Sequence, residues 1–169
     1  MKATPSKLRL DVGCGDFPEG NVNCDLYSRE SPEIGSGRII DPKKCPNFVR
    51  CDAYCLPFRD NTFEEVFSSH FIEHMDKPLK VLMEMLRVSN YKVTFIVPHR
   101  MRRGFRHILY PKFCKEHHKN IFNIKNINQW LKKIGLTFNI LVRNRPLPHP
   151  VFPIVQIPWD ITVTIYKPY

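Results

Sequence analysis

LDVGCGDFPEGNVNCDLY, residues Leu10 to Tyr27, decides how the chain is read. A short apolar strand runs into two glycines one residue apart, Gly13 and Gly15, and a second apolar stretch follows with an acid, Asp25. Strand, glycine turn, strand and acid suit a doubly wound α/β sheet, whose ligands sit beyond the carboxyl ends of the strands, where the first turn lies. Gly13 and Gly15 lack a Cβ and reach positive φ, so the backbone there can approach a ligand closely. Only nine residues, Gly13 to Asn21, join the two strands. A parallel crossover normally takes roughly a dozen or more, so the connection is expected to be short and without a full helix.

That shortness limits the ligand. A dinucleotide site reads GxGxxG and leads into a helix whose N-terminus meets the pyrophosphate. Here Pro18 stands in place of the third glycine. A phosphate loop of the Walker type requires GKS or GKT, and neither follows. Phosphate is therefore disfavoured at this turn. A phosphate-free cofactor would need the close backbone approach, a carboxylate for a cationic group and an acid for ribose hydroxyls. Asp11 and Asp25 supply the two carboxylates.

Outward from the turn, apolar runs of strand length recur at Leu8–Val12, Val22–Tyr27, Phe48–Ala53, Phe63–Ser69, Tyr91–Val97, Leu136–Val142 and Ile161–Tyr166. Two helices are expected between them. The first spans about Lys77–Arg87, with Leu79, Leu82, Met83 and Leu86 as its apolar face and Asp76 as its cap ahead of Pro78. The second spans about Ile124–Ile134, with Ile127, Trp130, Leu131 and Ile134 on one face and Gly135 as its stop. Strands alternating with helices predict a seven-stranded, mainly parallel α/β sheet, with the last two strands antiparallel at one edge. Prolines at 146, 148, 150, 153 and 158 predict an extended loop over about 144–160. No internal repeat or domain boundary interrupts residues 1–169, so one domain is expected.

LDVGCG, the acid in NCDLY and the run CDAYCLPFRDNTFEEVFSSHFIEHM together resemble class I S-adenosylmethionine-dependent methyltransferases. The closer resemblance is to small methyltransferases with an LPF-D-x-F segment and an H-x-x-E-H ending to the fourth strand. It continues through MEMLRV, TFIVPH and HHKNIFNIKNINQWLKKIGL, covering about residues 8–143. The resemblance implies a Rossmann-like fold with a shortened first crossover and S-adenosyl-L-methionine as cofactor. Asp11, Gly13, Cys14 and Gly15 would line its methionine part, and Asp25 would accept from the ribose hydroxyls. Asp52 would accept the adenine amino group beside the backbone of Ala53, with Leu56 near the ring. Ser69 and His70 would face the sulfonium and the incoming nucleophile, and His118 would line the substrate pocket.

The net charge of +10 is unevenly placed. Residues 99–145 hold 12 Lys and Arg against the single acid Glu116, whereas residues 1–76 hold 9 against 13 acids. Within the basic segment, RMRRGFRHILY places Arg100, Arg102, Arg103 and Arg106 among aromatics after the fifth strand, on the expected substrate side. Such a patch grips phosphates while an aromatic stacks on a base, so nucleic acid or another anionic substrate is the expected partner. A solvated charged face is the plain alternative.

His70, Glu73 and His74 in SHFIEHM suit a general base better than a metal pair, because the order is not HExxH. The alternative for Glu73 and His74 is a cap on the next helix. His107, Cys114, His117 and His118 have a spacing that suits zinc poorly, and no metal is expected. The six cysteines lack an accompanying export signal and are expected to be mostly reduced, although Cys24 and Cys51 could pair if their strands are neighbours. No apolar run reaches roughly 18 residues, and the expected location is cytoplasmic, without membrane association.

The expected function is methyl transfer from S-adenosylmethionine to an O or N acceptor on an anionic substrate. A weakly active or inactive nucleic-acid-binding module and a small-molecule methyltransferase are the alternatives.

Overall fold

The computed structural model describes residues 8–26, 41–100, 119–146 and 156–168. Seven strands form one sheet: β1 (Arg9–Val12), β2 (Val22–Asp25), β3 (Phe48–Arg50), β4 (Phe63–Ser69), β5 (Ser89–Pro98), β6 (Thr137–Pro146) and β7 (Gln156–Tyr166). Their order is β3-β2-β1-β4-β5-β7-β6. β3, β2, β1, β4 and β5 pair in parallel, and β7 enters antiparallel between β5 and β6. The mainly parallel sheet with its antiparallel pairing at one edge is the expected architecture.

Strand register sorts the side chains into two unlike faces. Leu10, Val66, Val93 and Ile165 follow one another across the sheet, and all are fully or almost fully buried. Phe95 and Val97 pair with Val163 and Ile161 on that same face. Two helices cover it: α1 (Pro78–Val88), between β4 and β5, and α2 (Ile124–Lys132), between β5 and β6. Trp130 of α2 meets Phe95 edge-on, with ring centroids 6.2 Å apart. The opposite face is polar: the Arg9 guanidinium lies 4.0 Å above the Phe67 ring centroid, and Glu65 pairs with Lys92 at 3.3 Å.

α2 follows its sequence. Asn123 and Asn126 form a reciprocal capping box, Ile127 and Leu131 are buried, and Gly135 at φ +72° lies just beyond the helix end. α1 departs from expectation in two ways. Its buried residues are Val81, Leu82, Met85, Leu86 and Val88, while Leu79 and Met83 are exposed. The spacing of Leu79, Leu82, Met83 and Leu86 fits a helix, but an equally good stripe one step round the helix faces the sheet. Its N-cap is Lys77, without a side-chain cap bond, and Asp76 instead pairs with Lys119 at 2.8 Å.

The proline-rich segment is also corrected. β6 runs through Arg143–Pro146 and β7 starts at Gln156, so strand pairing occupies both ends of the predicted 144–160 loop. A register shift between Arg143 and Asn144 marks the place where Asn144 pairs with Pro158. Proline lacks a ladder donor, and such irregularities are where a strand tolerates it.

The short first crossover has a specific construction. Residues 19–21 fold back along β1: Glu19 N donates to Asp11 Oδ2 at 2.9 Å, and Asn21 N donates to Arg9 O at 2.8 Å. The Asn23 side chain holds Gly20 from both its N–H and its carbonyl. A Cβ on Gly20 would lie 2.4 Å from Val22 O and 2.8 Å from Asp11 N. Glycine thus lets the connection run against the strand backbone, replacing the usual helix.

Candidate functional site

The strand ends that matter converge at one rim of the sheet. After β1 the chain turns at Gly13, φ +71°, and Gly15, φ +53°. Gly13 N and Cys14 N both donate to Cys24 O, tying the turn to β2, and Gly15 N donates to Asp25 Oδ2 at 3.2 Å. The two glycines face different surroundings. A Cβ on Gly13 would strike the Phe71 ring, 2.2 Å from its Cγ, whereas a Cβ on Gly15 meets nothing within 4 Å. Gly15 therefore leaves an open cradle above a backbone held in place by Asp25.

Asp11 lies beneath this turn and is buried. Its Oδ2 accepts from Glu19 N, and its Oδ1 is buried without a hydrogen-bond partner. Desolvation raises its pKa from 3.8 to about 6, against the lowering effect of the Glu19 N–H. The folded protein thus holds the Asp11 proton more tightly than the unfolded chain. This contribution to stability is complete below pH 3.8 and is lost as pH rises through about 6. A shift of roughly two pH units corresponds to about 3 kcal/mol. Urea denaturation at a series of pH values is expected to show wild-type stability falling relative to Asp11→Asn across that window.

The other cofactor candidates lie around the same rim. Cys14 is buried and turns toward Cys45, Sγ to Sγ 3.9 Å, with burial raising its thiol well above the usual range. It can line a ligand site only through backbone. Asp52 closes a tight turn, its Oδ1 accepting from Tyr54 N at 2.8 Å. Ala53 and Leu56 are buried behind it, and Leu56 N donates to Glu84 of α1. Arg87 binds Leu56 O, Phe58 O and Asp60, so α1 holds the whole LPF-RD segment in place. Cys24 lies on β2 and Cys51 directly follows the neighbouring β3, and both are free thiols. The hydrogen bond between them holds the Cys51 thiol below its usual range.

At the end of β4, half-buried Ser69 is followed by exposed His70 at φ +52°, a left-handed conformation uncommon for a residue other than glycine. Phe71, the next residue, is the one packed on Gly13, so His70 stands beside the glycine turn. Its Nδ1 lies 3.5 Å from Glu73 Oε1, and its Nε2 lies 3.7 Å from Asp160 Oδ1. Glu73 and His74 belong to a 3-10 turn, Ile72–His74, rather than capping α1. Sequence reading missed Asp160, which stands 90 positions after His70 in the chain and reaches it only because β7 pairs with β5 at Pro98. His99 was also missed: its N–H donates to Trp159 O beside this group, and burial lowers its pKa.

Arg100 is exposed just past β5, and its N–H donates to Phe122 O at 2.9 Å. Arg102, Arg103, Arg106 and His118 lie outside the described residues, as do His107, Cys114 and His117. Among the described residues no group of His, Cys, Asp and Glu side chains is arranged to hold a metal ion, and no helix is long and apolar enough to cross a membrane.

This strand order, with an antiparallel strand inserted at the far edge and a glycine turn at β1, is that of the Rossmann-like methyltransferases. A family model described as "Methyltransferase domain" matches residues 10–97, more than half the chain, and the chain belongs to that family. A demethylmenaquinone methyltransferase of Renibacterium salmoninarum is 33% identical over 95 residues, 52% of this chain and 38% of that protein. Probable tRNA methyltransferase 9B of Mus musculus is 29% identical over 87 residues, 50% of this chain and 20% of that protein. The chain thus spans well under half the length of these relatives. A SAM-dependent methyltransferase structure from Thermotoga maritima superposes with a TM-score of 0.71 at 16% identity, covering 98% of this chain and 84% of that one. The Thermotoga maritima protein is named as dependent on SAM, S-adenosyl-L-methionine, which is the cofactor to test against this turn. The turn fits it: the open space at Gly15 admits a ligand, and the unpartnered Asp11 Oδ1 suits a cationic group.

Proposed function

We propose that the protein transfers the S-adenosylmethionine methyl group to a nitrogen or oxygen acceptor that carries a proton, with His70 as the base. The observation that carries this reading is the position of His70, exposed next to the glycine turn and flanked by two buried acids. In this reading Asp11, Gly13, Cys14 and Gly15 line the methionine part, largely through backbone. Asp25 holds the ribose, Asp52, Ala53 and Leu56 surround the adenine, and Ser69 borders the reacting centre. The bound cofactor supplies an already electrophilic methyl carbon, so the protein's task is alignment, exclusion of water and removal of the acceptor proton. A histidine suits that last task because its ordinary pKa lies near neutrality.

The acceptor is proposed to belong to an anionic molecule, with RNA the first candidate. Arg100 lies just past β5, at the end of the strand where ligands of such a sheet sit, and Arg102, Arg103 and Arg106 follow it in the sequence, inside a segment with 12 basic residues and one acid. The names of the relatives do not choose for it, since one is named for demethylmenaquinone and another for tRNA. Incubation with S-adenosylmethionine labelled in the methyl group and total tRNA tests the proposal. Label is expected in the RNA, and His70→Gln is expected to slow its transfer by on the order of 100-fold or more. Cofactor binding without labelling of RNA would leave a small-molecule acceptor as the better reading. Full labelling by His70→Gln would remove His70 from the chemistry.

A further inference from the structure

We infer that Glu73 is a positioning residue for His70, its buried carboxylate facing Nδ1 at ion-pair distance and drawing Nδ1–H toward it, so that Nε2, on the Asp160 side, is the nitrogen that takes the acceptor proton. The inference rests on the reading of His70 as the base. Glu73 is fully buried, and neither carboxylate oxygen has a hydrogen-bond partner. The ionisable group beside it is His70, with Nδ1 3.5 Å from Oε1. A buried carboxylate without hydrogen bonds is costly, and no structural contact of its side chain offsets the cost. Its carboxylate makes no bond within its own 3-10 turn, and α1 begins later, at Pro78. The segment is held by backbone instead, through Asn120 N to Glu73 O at 2.9 Å and the Asn120 side chain to Met75 O.

Three separately placed features aim the ring. The left-handed backbone at His70 sets the direction of its side chain, and such strain persists where the surrounding structure enforces it. Glu73 approaches one ring nitrogen from the turn after β4, and Asp160 approaches the other from β7. The Nε2 to Asp160 separation of 3.7 Å is too long for a direct hydrogen bond, and His70 remains 39% exposed. Nε2 therefore stays available to an acceptor, while Asp160 offsets the charge the ring gains. The proton balance is complete: the acceptor heteroatom bonds the methyl carbon, the carbon–sulfur electron pair stays on sulfur, and the acceptor proton moves to Nε2. The proton on Nδ1 stays on the ring, on the side that faces Glu73, and Nε2 later returns its proton to water.

The test uses the full chain labelled with 15N and long-range proton–nitrogen spectra of the imidazole rings, with His70 assigned by its loss in His70→Gln. Wild-type His70, when neutral, is expected as the Nδ1–H tautomer. Glu73→Gln, whose amide oxygen still accepts, is expected to keep that tautomer, and Glu73→Leu to lose it. Melting temperature gives a second readout: both variants are expected to match or exceed wild type, because the buried charge is gone. An Nε2–H tautomer in wild type, or one indifferent to Glu73→Leu, would overturn the inference. So would a large fall in melting temperature in both variants, which would make Glu73 structural. Neither readout depends on methyl transfer, so failure of His70 as a base would appear separately, in the labelling experiment.

Discussion

Replacing Gly13 by alanine is expected to remove about 2–5 kcal/mol of stability, through left-handed backbone strain and overpacking together. The new Cβ would sit 2.2 and 2.3 Å from two carbons of the Phe71 ring and 2.8 Å from Phe71 Cβ, at a backbone φ of +71°. The ring has little freedom to yield, because its own residue joins His70 to the 3-10 turn. Against a total stability of roughly 5–15 kcal/mol for a domain, such a loss is large and visible as a reduced urea midpoint. Gly15→Ala provides the internal contrast. Its φ of +53° imposes strain, but its Cβ would point into open space. Gly15→Ala is therefore expected to cost only about 1 kcal/mol of stability, yet to weaken S-adenosylhomocysteine binding by filling the cradle. If the two variants lose stability equally, the different roles assigned to the two glycines are wrong.

The second large effect is expected at Asp25. Its carboxylate holds the Gly15 N–H and is the acid proposed for the ribose hydroxyls. Hydrogen bonds to a charged group are worth about 1.5–3 kcal/mol each, so losing two gives on the order of 100-fold weaker binding or more. Calorimetric titration of Asp25→Ala with S-adenosylhomocysteine measures this directly. Asp25→Asn retains an oxygen for Gly15 N and is expected to fall between the two. Unchanged affinity in Asp25→Ala would move the ribose to another acid and leave Asp25 as a turn fastener.

Much of this fold is legible because secondary structure is written locally. Alternation in YKVTFIVP and ITVTIY marks strands whose inward residues are those buried in the structure. Ile127, Leu131 and Gly135 mark the buried face and the stop of α2. The errors share a cause, which is that a local pattern can be completed in more than one way. α1 carries two overlapping apolar stripes, and only packing against β4 and β5 chooses between them. Prolines at 146 and 158 look like strand breakers in isolation, yet Pro158 pairs at the register shift beside Arg143 and Pro146 ends the edge strand β6.

By itself the sequence determined the α/β class, the parallel sheet, the glycine turn without a phosphate helix, and the acids Asp11 and Asp25 on either side of it. All of these depend on residues within a few positions of one another, where steric and hydrogen-bonding preferences act directly. Tertiary structure alone decided that Asp160 meets His70, that Glu73 is buried beside the same ring, and that Phe71 seals Gly13. The physical reason is topological: β7 inserts beside β5 and carries Asp160 to the end of β4, a juxtaposition that no spacing in the chain records.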